Sequence, residues 1–460
     1  MPQNRTADFA KGSIVHHLIV FSIPMFLGNL LQAFYNTVDT IWVGRFLGSD
    51  ALAAVSIGFP VIFLLVSLIM GITMAATVMV AQFTGAKNGP MVRRVVANTL
   101  GLVVLSGAVV SVLGVVFHRA VLRLINTPPN LMHMASQYLS IFLSGLIFTF
   151  IYNAASSIMR GLGDSRTPTL YLVYATVLNI ILDPLLIFGL GPFPRLGVAG
   201  AAWATVFAQA VSALLALRHL FKANGLIEPK LADYWPKRDL TLKTVGIGLP
   251  AGIQQIVVSF GALVIGALVN SFGHTAAASF GAAARLDQFS FLPAMTISLA
   301  TSALVGQNLG AKDEKRAVET LKWSAIMGAA ITGCVTLIVQ AFPRQLLSVF
   351  TDDPGVLREG ASYLRIVSLS YIPFSVMFAV NGLLRGAGDT LPTMFTSFAA
   401  FWFVRVPVAT WLSRGLHLGT RGIWIGIALS PLVGLALSYT YYRTGRWRGK
   451  VITKTGPILE

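Results

Sequence analysis

Apolar residues run through the chain in twelve long stretches, near 14–44, 50–84, 93–117, 132–158, 168–190, 197–221, 243–272, 275–309, 316–341, 356–384, 391–413 and 419–443. Each is long enough to cross a hydrocarbon core, which takes ~20 residues of helix. Short clusters of Gly, Pro or charge separate them. Several exceed the required length, so the helices are expected to tilt or to project beyond the lipid. The pattern predicts an all-α integral membrane protein of twelve transmembrane helices.

The stretches are not independent. Arg160-Gly161-Leu162-Gly163-Asp164 returns as Arg385-Gly386-Ala387-Gly388-Asp389, displaced by 225, and each copy is soon followed by Pro-Thr. The same displacement carries Gln82 to Gln307, Gly85-Ala86-Lys87 to Gly310-Ala311-Lys312, Pro129 to Pro354 and Tyr138-Leu139 to Tyr363-Leu364. Such a run marks an internal duplication. With an even number of helices per copy, both copies enter the membrane from the same side. The expected arrangement is two six-helix lobes related by a pseudo-twofold axis along the membrane normal. The lobes are expected at 1–221 and 243–460, the second ending in a basic tail, with 222–242 as the linker. Paired lobes of this kind alternate access to a solute, so the architecture points to a carrier.

Composition fits this picture and narrows it. Only 11% of the 460 residues are charged, far too few to keep a soluble surface of this size wet. The net charge of +17 raises nucleic acid as a partner, but the basic residues form no stripe interleaved with aromatics. They concentrate in alternate loops, which places both termini on the cytoplasmic side. There the excess charge lies against anionic lipid. No Gly-x-x-x-x-Gly-Lys-Ser/Thr loop occurs, so energy is expected from an ion gradient rather than nucleotide, and no cofactor is called for. The N-terminal stretch has no signal-peptide pattern. The single Cys334 lies in an apolar run and reads as a small core residue.

Carboxyls inside a membrane are costly and usually have a task. Of the 17 acids, three fall within the predicted helices away from their ends: Asp39, Asp183 and Asp287. Gln32, Tyr35 and Asp39 are spaced by three and four, which puts them on one face of the first helix. A desolvated carboxyl beside a hydroxyl suits proton coupling. Asn179 and Asp183 share a face of the fifth helix, and Pro184 breaks its ladder. These oxygens, with the Thr205 hydroxyl of the sixth helix, also suit Na⁺. Pro24 and Pro184 are the expected hinges. Asp287 is read as one member of a structural or gating ion pair reaching water near the outer end of its helix. Arg285 and Arg405 are the candidate partners, Arg285 two residues away and so on another face.

The segment IPMFLGNLLQAFYNTVDTIWVGR (23–45), with VLNIILDPLLIFG (177–189) and GVAGAAWAT (197–205), resembles the multidrug and toxic compound extrusion (MATE) family, and most closely its DinF-like branch. The resemblance covers essentially the whole chain. It implies outward extrusion of cationic or amphipathic compounds in exchange for inward H⁺, with Na⁺ as the alternative ion. It also implies a coupling cluster of Asp39, Asn179 and Asp183 in the first lobe, with Gln32, Tyr35 and Thr205 lining the cavity. In agreement, the repeat displacement takes Asp39 to Val264, and the seventh and tenth helices carry no central acid. The rival readings are a lipid-linked precursor flippase, which would need a cationic cavity, and an intramembrane enzyme, which would need clustered nucleophile or metal ligands. The protein is expected to be a monomer and not an enzyme.

Overall fold

The computed structural model describes residues 8–222 and 234–454. Twelve helices long and apolar enough to span a membrane account for most of them. They are α1 (Ile14–Leu47), α2 (Ser49–Gly85), α3 (Gly89–Leu124), α4 (Pro129–Gly161), α5 (Arg166–Phe188), α6 (Val198–Lys222), α7 (Arg238–Asn270), α8 (His274–Gly310), α9 (Glu314–Ala341), α10 (Pro354–Gly386), α11 (Leu391–Gly415) and α12 (Thr420–Arg443). Every apolar run of the sequence is one of these. The largest discrepancy is at the end of α3, expected at 117. His118, Arg119 and Arg123 look like loop, yet the helix continues through them because nothing in VFHRAVLRL breaks the backbone ladder. It stops where Asn126 takes a positive φ of 55° ahead of Pro128 and Pro129.

The duplication is written into the backbone. Gly48 and Gly273 have φ of 93° and 98°, Gly163 and Gly388 have 90° and 88°, and the non-glycines Lys87 and Lys312 have 53° and 63°. Each pair is separated by the repeat displacement. Asn88 caps α3 by accepting from the Met91 N–H at 3.1 Å, and its counterpart Asp313 caps α9 by accepting from Arg316 N–H at 2.9 Å. Side-chain caps at equivalent places satisfy the orphan N–H groups that start these helices.

The described residues fall into two compact units. The first holds Ile23–Thr84 and Asn88–Leu249, and the second Asp8–Ser22, Gly85–Lys87 and Pro250 onward. The cuts differ from the lobes expected from sequence: the opening of α1 belongs to the second unit and the opening of α7 to the first. Part of the expected linker, 223–233, lies outside the described residues, and 234–249 packs with the first unit. That packing is specific. Asn98 Oδ1 on α3 accepts from Lys237 N–H at 2.8 Å and from the Thr241 hydroxyl at 3.3 Å.

Inside the first unit, α4 packs on α6 and α3, and α5 on α6. Gly145 lets α4 approach α6 so closely that an added Cβ would sit 2.3 Å from Val206 Cγ2. The second unit is built on α8, α9 and α10, with Trp424, Tyr363 and Tyr371 fully buried in its core. Outer faces carry apolar side chains such as Val112, Val116 and Leu337, as lipid requires. Cys334 is among the exposed residues of α9, not in the core: the apolar run at that point surrounds the helix, so hydrophobicity alone does not say which face turns inward.

Candidate functional site

Four elements of the first unit bring its polar residues together. α1 supplies Tyr35, with Asp39 one turn on. α5 supplies Asn179 and Asp183, both with no accessible surface, and α6 supplies Thr205. The Tyr35 hydroxyl donates to Thr205 Oγ1 at 3.1 Å, and Thr205 in turn donates to the Ala201 carbonyl at 3.1 Å. Asn179 Nδ2 donates to Asp183 Oδ1 at 3.2 Å, the i, i+4 contact read from the sequence. The charge of Asp39 acts on Asp183 and Tyr35, and all three act on Tyr138 of α4. Asp39, Asn179, Asp183, Tyr35 and Thr205 are thus one cluster.

Three acceptors in the cluster have no hydrogen-bond partner among the described residues although they are buried: Asp39 Oδ1, Asn179 Oδ1 and Asp183 Oδ2. Leaving such a group unsatisfied costs about 1–3 kcal/mol, more when charged. Three such acceptors in one cluster leave bonding capacity that a proton, a cation or a water can fill. Pro24 and Pro184 both lie inside their helices. The Thr169 hydroxyl of α5 lies between the Ser165 carbonyl, at 2.9 Å, and the Pro24 carbonyl, at 3.0 Å, and so shares its one proton between its own helix and α1 at Pro24. Gln32 lies on α1 one turn before Tyr35.

Tyr138 was not among the residues singled out by sequence. The available signal was the Tyr-Leu pair repeated at 138–139 and 363–364, because its counterpart Tyr363 also meets a buried acid, there by a direct hydrogen bond. In the second unit Asp287 is 4% exposed. The Tyr363 hydroxyl donates to its Oδ2 and the Tyr371 hydroxyl to its Oδ1, both at 2.5 Å.

Asp287 therefore does not reach water, and its direct partners are tyrosines. Its place on α8 faces α10, whose tyrosines enclose it; an aspartate early in a spanning helix reads as outer-end only if the neighbouring helix is ignored. Arg285 instead lies over the Phe350 ring, 5.8 Å from its centroid. Arg405 is the arginine that acts on Asp287 electrostatically. Its Nε donates to Ser430 Oγ at 2.8 Å, and its guanidinium lies 4.0 Å from the Phe401 ring centroid. Arg405 closes a π-helical turn, Ala399–Arg405, in α11, a distortion common at functional positions. The duplicated Arg-Gly-x-Gly-Asp turns are structural. Asp164 caps α5 by accepting from Arg166 and Thr167 N–H, and Asp389 accepts from the Tyr441 hydroxyl at 2.6 Å.

The sequence profile of the MatE family matches residues 24–185 and again 250–411. The chain belongs to the MATE family. It is a multi-pass membrane transporter and not an enzyme. The two MATE matches begin at Pro24 and Pro250, so the family unit is the repeat itself, and the first copy contains Asp39, Asn179 and Asp183. Among its relatives are two proteins of Bacillus subtilis (strain 168). "Probable multidrug resistance protein YoeA" is 34% identical, covering 98% of this chain and 97% of the relative. "Probable multidrug resistance protein YpnP" is 32% identical, covering 96% and 97%. A solved structure of MATE in the bent conformation has the same fold, with a TM-score of 0.89 at 24% identity, covering 96% of this chain and 97% of that one.

Proposed function

We propose that this MATE protein is a proton-coupled multidrug efflux antiporter of the prokaryotic inner membrane, acting as a monomer with both termini in the cytoplasm. The substrates are cationic or amphipathic organic compounds, in keeping with the names of the Bacillus relatives. Asp39 and Asp183, with Asn179, form the coupling group, and Gln32, Tyr35 and Thr205 line the binding cavity. The observation that carries this reading is the set of unpartnered buried oxygens on Asp39, Asn179 and Asp183. A proton on either carboxyl turns an unsatisfied acceptor into a donor that a neighbouring oxygen can accept, so occupancy by the ion changes the bonding of α1 against α5. Exchange follows if the protonated and drug-bound forms favour different conformations, because a ligand with equal affinity for two states shifts neither.

A second reading has its own support. Asn179 Oδ1 is among the unpartnered atoms and does not take up a proton, whereas it does ligate a cation. With the carboxylates of Asp39 and Asp183 and the Thr205 hydroxyl it makes an all-oxygen set, the chemistry hard cations prefer. On this reading Na⁺ is the exchanged ion.

One experiment separates them. Proteoliposomes holding the purified chain are given an H⁺ gradient in sodium-free buffer, or a Na⁺ gradient at equal pH, and ethidium movement is followed by fluorescence. Proton coupling predicts export under the first condition alone, and Asp39→Asn abolishes it. Full export by Asp39→Asn removes that carboxyl from the mechanism.

A further inference from the structure

The helix that carries Asp39 does not belong to one unit. Its opening, with the turn before it, is part of the second unit as far as Ser22. From Ile23 onward it is part of the first. The crossing comes immediately before Pro24, where the missing N–H removes one rung of the ladder.

What holds the opening in the second unit is a clamp on residues 9–12. Gly12, with a φ of +77°, folds the chain back so that three carbonyls converge. Arg316 takes all three: its Nε donates to Phe9 O at 2.9 Å, and its Nη2 to Lys11 O at 3.0 Å and Gly12 O at 2.7 Å. Gln307 Oε1 accepts from Phe9 N–H at 3.2 Å. The Phe9 side chain is 1% exposed and meets the rings of Phe21 and His17 edge-on, with centroids 5.2 and 5.5 Å away. Arg316 is itself fixed in the first turn of α9 by the Asp313 cap. A planar guanidinium fork matches this converging set; a lysine ammonium, a point charge on a flexible stem, does not.

The other lobe has an equivalent crossing, at Leu249 and Pro250. There the described anchors include the Asn98 amide oxygen and the Thr244 hydroxyl, which donates to Met79 Sδ at 3.7 Å, and α7 beyond Pro250 carries no carboxyl. The strong clamp and the coupling acid are on the same helix.

We propose that Arg316 is a coupling residue: by fixing the start of α1 to the second unit, it makes α1 the mechanical link through which ion occupancy at Asp39 moves that unit. From Ser22 to Asp39 is about 25 Å of helix at 1.5 Å per residue, a lever long enough to turn a local change into a displacement. The inference rests on Asp39 being the coupling carboxyl. Arg316 touches neither ion nor drug, so its loss is expected to leave binding intact and to uncouple it from transport.

The test uses the full chain in proteoliposomes with ethidium as the probe. Cys334→Ser removes the native thiol, and Ala10→Cys reports on the clamp by its labelling rate with a water-soluble maleimide. In Arg316→Lys we expect faster labelling, ethidium binding within about twofold of native, and gradient-driven export lowered roughly tenfold or more, as the loss of several hydrogen bonds to a charged group implies. Phe9→Ala, which loosens the same clamp without touching the arginine, is expected to act in the same direction. Size-exclusion profiles serve as the check that both variants are folded.

Native export by Arg316→Lys alongside accelerated labelling overturns the proposal, as does loss of binding in proportion to export. Asp39→Asn is measured in parallel. If it abolishes export while Arg316→Lys does not, the coupling role of Arg316 fails alone. If Asp39→Asn exports normally, the reading of Asp39 fails and takes this inference with it.

Discussion

Replacing Asp287 by Asn keeps the size of the side chain and removes two things at once. The carboxylate now accepts one hydroxyl at each oxygen, from Tyr363 and Tyr371. In the Asp287→Asn variant one of those positions becomes an NH₂ group facing a hydroxyl, so at least one bond to a charged acceptor is lost, worth about 1.5–3 kcal/mol. The substitution also deletes the negative charge that acts on Arg405, a guanidinium whose described contacts are otherwise a serine and an aromatic ring. No ion pair joins Asp287 and Arg405 among the described residues, so this second cost falls below the about 3–5 kcal/mol of breaking a contacting buried pair.

The two effects are separable. Tyr363→Phe removes a hydrogen bond and leaves the charges balanced, so it should cost less than Asp287→Asn. Arg405→Gln alone should destabilise, whereas Asp287→Asn with Arg405→Gln should recover at least about 1 kcal/mol relative to the sum of the singles. Thermal unfolding in detergent, followed by the fluorescence of the monodisperse fraction, gives the order. Asp287→Asn melting with the native protein refutes the reasoning, and so does strict additivity in the double variant, since the charges would then not be coupled.

Two further outcomes follow from packing. Gly145→Ala places a methyl inside the space of Val206 and is expected to destabilise the first unit by about 1–3 kcal/mol. Adding Val206→Ala should restore most of the loss in the same melting assay. Cys334, exposed on α9, should react with a lipid-soluble maleimide in intact membranes and resist a charged, membrane-impermeant one; equal reactivity with both would show that this face of α9 meets water.

The fold was legible because lipid allows few solutions. A run such as 197–221 must satisfy its own backbone groups, and a helix does so, so apolar length alone located all twelve spans. The repeat was legible from Arg160-Gly161-Leu162-Gly163-Asp164 and its copy, and the matching φ values at Gly163 and Gly388 show why the glycines recur: the turn needs a conformation that other residues adopt only with strain. The i, i+4 contact of Asn179 and Asp183 was readable for the same local reason. What was not readable is whatever depends on the neighbour across a helix interface. Asp287 looked like half of an ion pair open to water because the sequence shows which residues are close along the chain, whereas its direct partners come from 76 and 84 positions away. Cys334 failed on the same ground, since burial in a helix that is apolar all round is decided by the helix next to it.

The two copies show how an inherited scaffold supports different chemistry. Tyr138 and Tyr363 occupy the same repeat position, and each stands beside a buried carboxylate. Yet the acids come from different helices: Asp39 and Asp183 from α1 and α5 in one unit, Asp287 from α8 in the other. The counterpart of Asp39 is Val264 and that of Asp287 is Ile62. The consequence differs between them. Asp287 has both oxygens bonded and an arginine to balance its charge, so it has no need of an ion. The first cluster has three unpartnered oxygens, no equivalent arginine acting on it among the described residues, and therefore a standing deficit of positive charge. That difference in satisfaction, rather than the mere presence of acids in the membrane, is the physical ground on which the proposed ion coupling is assigned to the first lobe.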